Sequence, residues 1–129
     1  MMKRTVILTL VLALGVGVGV ALAGGEGKAK AVEGTLVDTK CYLAFGAKEN
    51  DHGSMKGCGT ACAKGGNPVG VLTAEGKYYT LGVAAPAVAD HVGHTVRATG
   101  EIKEGVIVAK KLEMKEGNSW KEIKLGPTM

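Results

Sequence analysis

His94-Thr-Val-Arg-Ala-Thr-Gly-Glu-Ile102 alternates without a slip: Val96, Ala98, Gly100 and Ile102 share one face, and Thr95, Arg97, Thr99 and Glu101 take the other. A period of two marks a strand with one face on a core and the other on water. Lys103-Glu104-Gly105 turns the chain, and residues 106–113 return as a partner strand. On the return the phase slips, because Lys110 falls in register with Val106, Val108 and Leu112. A bulge near Lys110-Lys111 restores it.

Upstream, residues 84–92 carry Pro86 near their start and Gly93 just past their end, the asymmetry of a short helix. Before that, Val69-Gly-Val-Leu-Thr73 and Lys77-Tyr-Tyr-Thr-Leu81 flank Ala74-Glu75-Gly76, a second hairpin with glycine where a positive φ is needed. Tyr79 and Leu81 fall on one face of it, Tyr78 and Thr80 on the other. Residues 32–40 (VEGTLVDTK) are rich in β-branched side chains and predict a first strand that bends at Gly34. Residues 44–57 hold no period and read as a loop, and a short helix is expected over 57–64, stopped by Gly65-Gly66. Five strands in this order, with a helix between the third and fourth, predict a mostly β protein. The architecture is a small five-stranded OB-like (oligonucleotide/oligosaccharide-binding type) Greek-key barrel with one or two short helices.

Composition agrees. The 129 residues are 46% hydrophobic, 4% aromatic and 22% charged, which fits one small domain. The 21 glycines exceed the usual ~7% and favour turn-rich β structure over a bundle. Sixteen basic and twelve acidic residues give a net +4, but Lys3 and Arg4 supply two of the positive charges and every acid lies beyond Gly25. With no dense basic stripe and few aromatics to stack bases, nucleic acid is not an expected partner.

Met1-Met-Lys-Arg4 is followed by an uncharged run over 5–20 and by Ala21-Leu-Ala23, the layout of a cleaved secretory signal peptide over 1–23. Gly15, Gly17 and Gly19 weaken the alternative of a permanent anchor, and no Cys follows Ala23 to direct lipoprotein processing. A flexible linker over 24–31, the OB-like domain over 32–113 and a C-terminal extension over 114–129 complete the plan. Trp120, Ile123 and Leu125 are the extension's only apolar anchors, so it forms either an edge strand or a loose tail. The expected location is periplasmic or secreted, with no membrane contact after cleavage.

Export makes the cysteines informative, because disulfides persist outside the cytosol. There are three, Cys41, Cys58 and Cys62; an odd number leaves at least one outside any intramolecular bridge. Together with His52 they form Cys41-x10-His52-x5-Cys58-x3-Cys62. Thiolate and imidazole suit borderline and soft metals, and Cys3His is a recurring zinc set. Cys58 and Cys62 on one helix face hold their Cβ atoms about 5–6 Å apart, wider than the ~3.5–4.5 Å a disulfide needs. A shared ion requires only that the sulfurs converge. The other reading stays open: Cys41 bridged to Cys58 or Cys62, worth ~3 kcal/mol, with one free thiol and no metal. A third reading makes the unpaired Cys a reactive thiol, which requires a depressed pKa.

Other motifs are missing or weak. There is no Cys-x-x-Cys for thioredoxin-like exchange and no Cys-x-x-Cys-His for haem attachment. Gly65-Gly-Asn-Pro68 lacks the Lys-Ser/Thr of a nucleotide loop. Met55 offers a thioether to Cu(I), though such a residue is commonly exposed loop. Asp90, His91 and His94 are read as structural, and Asp38 as a turn cap that can also hydrogen-bond to a metal ligand and orient it.

The run Val37-Asp-Thr-Lys-Cys41, His52, Cys58-x3-Cys62, Lys64-Gly-Gly66, the hairpin 69–81 and Gly93-x2-Val96-x3-Gly100 resembles a family of small exported bacterial proteins with an OB-like domain. Those proteins open on Asp-Ser-x-Cys and carry a loop His and a Cys-x3-Cys; this chain differs at Thr39 and in a longer loop before His52. The resemblance, over about residues 32–113, implies export and a barrel. It marks Cys41, His52, Cys58 and Cys62 as functional or stapling positions and implies no activity. The expectation is a non-enzymatic domain holding zinc or copper(I) through those four residues. The alternative is a disulfide-stapled module that binds an envelope protein, glycan or peptide through its barrel face.

Overall fold

The structure, a computed structural model, describes residues 28–126. The expected signal segment 1–23 and linker residues 24–27 lie outside the described residues. Six strands form one sheet: β1 (Lys30–Asp38), β2 (Val69–Leu72), β3 (Tyr78–Leu81), β4 (Thr95–Lys103), β5 (Val106–Glu116) and β6 (Ser119–Ile123). Five of them close into a ring in the order β3-β2-β1-β4-β5, sealed by a short parallel contact of Thr80 with Val106 and Leu81 with Ile107. All other pairings are antiparallel. This is the mostly β, five-stranded barrel expected, with a sixth strand added because the C-terminal extension pairs along β5 from Leu112 to Glu116.

The hinge of the barrel is β1. Its first residues, Lys30 to Thr35, pair with β4, and Thr35 to Asp38 pair with β2. The strand changes partner at Thr35, next to Gly34, where a Cβ would run into the Leu72 carbonyl, so the close approach there needs glycine. The β5 bulge also falls where the phase required it: Thr99 faces Lys111 and Gly100 faces Ala109, which leaves Lys110 as the extra residue. Leu36, Val69, Val71, Leu81, Val96, Ile107 and Leu112 fill the interior.

Among the described residues there are three short helices, rather than one or two: α1 (Thr39–Phe45), α2 (Cys58–Lys64) and α3 (Ala85–Val88), the last continued by a 3-10 turn over Ala89–His91. The expected first strand therefore ends at Asp38, two residues early. No hydrophobic period announces α1; its end groups define it. The Asp38 carboxylate accepts the Cys41 N–H at 2.7 Å, and Gly46, at φ 68°, closes the C-terminus by donating to the Tyr42 carbonyl at 2.8 Å. Tyr78 fastens α1 to the barrel, stacking on Tyr42 with centroids 5.3 Å apart and sharing a 2.6 Å hydrogen bond with the Thr39 hydroxyl. Its ring needs the space left by Gly70. Ala63 of α2 reaches the core, while Gly59 lies against Val92. Among the described residues no helix is long and apolar enough to cross a membrane.

Candidate metal centre

Three pieces of chain meet beside the open end of β1. Cys41 comes from α1, Cys58 and Cys62 from α2, and His52 from the intervening loop. Cys41 Sγ, Cys58 Sγ and a ring nitrogen of His52 all lie within 4.8 Å of one another. Cys41 Sγ also belongs to a second set, with Cys62 Sγ and an Asp38 carboxylate oxygen, again within 4.8 Å. A tetrahedron of 2.3 Å Zn–S bonds has edges of about 3.8 Å, so a shift of an ångström or less brings either set to ligand spacing. The four residues singled out by the sequence thus fall into two sets joined by one sulfur, and His52 and Cys62 are not in the same set. Asp38, read earlier as a cap, is the donor whose place in the cluster the spacing did not reveal; its position three residues before Cys41 was the available signal.

The loop that brings His52 in is tightly built. His52 and Met55 exchange backbone hydrogen bonds at 3.0 Å in both directions around a turn with Gly53 at φ 60°. Asp51 accepts the Gly57 N–H at 2.7 Å and pairs with Lys56 at 3.1 Å, which together hold its carboxyl below the usual range. His52 Nε2 lies 3.0 Å from the Glu49 carbonyl. A carbonyl only accepts, so Nε2 is the donor in that contact. Orienting a histidine through its second nitrogen is how metal-ligating imidazoles are commonly held.

Burial grades across the site. Cys41 is 8% exposed and Asp38 2%, whereas His52, Cys58 and Cys62 are half-buried. Burial first, and then the Asp38 carboxylate, push the Cys41 thiol up to about 12. The Cys58 thiol is raised too, chiefly by desolvation and next by Cys62. Without a cation these two are thiols at neutral pH, the reverse of the depressed pKa a reactive cysteine needs. No sulfur pair is bonded: all three cysteines are free. The stapled alternative therefore has no disulfide in this structure, where the sulfurs converge with a histidine and a carboxylate instead.

Met55 is 58% exposed. Asp90 pairs with Lys64 at 2.8 Å and His91 Nδ1 contacts Met114 Sδ at 3.3 Å; among the described residues neither donor set includes Asp90, His91 or His94. The arrangement defines a small β-barrel with a cysteine, histidine and carboxylate cluster close enough to hold a metal ion. No family model, no curated protein and no solved structure matches the chain.

Proposed function

We propose that this protein is an exported, non-enzymatic barrel domain that binds a transition-metal ion, zinc or copper(I), through Cys41, His52, Cys58 and Cys62. One observation carries the reading: donors from an α1 cysteine, a loop histidine and an α2 cysteine, eleven and seventeen residues downstream of Cys41, come within 4.8 Å of one another. The charged start, apolar run and Ala-x-Ala of residues 1–23 support export. The barrel core cluster contains none of the four ligands, though Ala63 of α2 belongs to it, so the ion acts on the loop between α1 and α2 and the barrel stands without it. Half-buried His52, Cys58 and Cys62 leave that ion open to exchange, which suits metal handling in the cell envelope better than a closed structural site.

Elemental analysis and thiol counting on one sample of the exported protein test this. The expected result is about one equivalent of metal per chain, with thiols that react fully only after chelation. A metal-free protein with two of its three cysteines oxidised overturns it in favour of a stapled interaction module.

A further inference from the structure

We propose that Asp38 is a further ligand of this centre and selects a divalent borderline ion such as Zn2+ over Cu(I). The inference rests on the metal-binding reading above and adds to it a donor and the class of ion. Both oxygens of Asp38 must be accounted for, because the residue is 2% exposed. Oδ1 is used by the Cys41 N–H at 2.7 Å. Oδ2 is buried and has no hydrogen-bond partner, an arrangement proteins avoid because it forfeits hydration without replacing it.

The carboxylate sits with Cys41 Sγ and Cys62 Sγ inside a 4.8 Å cluster. Within that cluster only the S–H groups have protons to give. Sulfurs that bind a metal lose those protons, so the loaded site would face the carboxylate with two thiolates and no donor for its free oxygen. The cation is then the one group there able to satisfy it. Charge points the same way: beside Asp38, the thiolates of Cys41 and Cys62 in its set bring the local charge to three negatives, and a divalent ion offsets more of them than a monovalent one. Donor chemistry agrees, since a carboxylate suits Zn2+ and is a poor ligand for soft Cu(I).

The variant Asp38→Asn separates ligation from capping, because Asn caps a helix as well as Asp does. Zn2+ and Cu(I) are each titrated alone into the exported protein against chromophoric chelators. The expected result is a loss of Zn2+ affinity of about tenfold or more, with Cu(I) affinity unchanged. Asp38→Ser, another capping residue, must give the same split. Unchanged Zn2+ affinity, or an equal loss for both ions, overturns the role of Asp38 while leaving the metal site intact. A wild-type chain that binds neither ion overturns the metal-binding reading itself.

Discussion

The Asn50 side-chain oxygen accepts two hydrogen bonds from Thr60, one from its backbone N–H at 2.8 Å and one from its hydroxyl at 3.0 Å. The Asn50 carbonyl also accepts the Gly59 N–H at 2.9 Å. The loop that carries His52 therefore caps the helix that carries Cys58 and Cys62, a task its own preceding residue, Gly57, cannot perform with a side chain. Capping and ligand assembly are one event. Asn50→Ala is expected to cost about 1 kcal/mol of stability and to weaken metal binding by roughly tenfold, read by urea unfolding and chelator competition. Stability loss with unchanged affinity would mean that His52 is placed by some other contact.

Close packing beneath α2 gives a second expectation. A Cβ on Gly59 would lie 2.6 Å from Val92 Cγ1 and 3.2 Å from Asn50 Oδ1. Gly59→Ala gains helix propensity but must move the helix or the loop, and overpacking of this kind costs about 1–3 kcal/mol. A lower urea midpoint at unchanged slope is the expected result.

The outer face of the barrel supplies a pH dependence. Glu113 meets Lys111 at 2.9 Å and Arg97 at 2.9 Å, while the Arg97 guanidinium lies 4.3 Å over the Trp120 ring. Lys111 first, and Arg97 after it, hold the Glu113 carboxyl below its ordinary value. A carboxylate whose folded pKa is depressed contributes stability above its unfolded value, about 4.3, and loses it as pH falls through the folded one. The wild type should thus lose Tm as pH falls from about 5 through 4 and below, and Glu113→Gln should lower Tm at neutral pH while flattening that fall. Parallel curves for the two proteins would contradict the assignment.

Metal removal should act locally. Cys41, His52, Cys58 and Cys62 lie on the segment over 39–64, which gives the packed core only Ala63, while most of that core comes from the strands and from α3 and the turn after it. Chelation is expected to speed amide hydrogen exchange over 46–57 and to leave β4 and β5 protected, since local opening tracks local contacts. Loss of protection throughout the barrel would make the ion a global structural element instead.

Most of the barrel was legible because its signals are local. Alternation over 94–102 gave β4, the Lys110 phase slip gave the β5 bulge, Gly34 gave the bend of β1, and Pro86 with Gly93 bracketed α3 and its 3-10 turn. Helix α1 was hidden because its seven residues carry no period and several are mediocre helix formers. Its caps, Asp38 and Gly46, are ordinary residues until their geometry is known. The extension gave only three apolar anchors, and it is pairing with β5 that makes it a strand. At the site, residue type and spacing gathered Cys41, His52, Cys58 and Cys62. The free Asp38 oxygen and the Asn50 clasp depend on how elements dock, which spacing does not encode.

X-ray absorption at the metal edge of the loaded protein tests the central claim most directly. The account predicts a mixed shell, with more than one sulfur at about 2.3 Å and a nitrogen or oxygen at about 2.0–2.1 Å, and the loss of one sulfur in Cys41→Ser. A shell of oxygen alone, unchanged by that substitution, would show the ion held at the surface and would contradict the account.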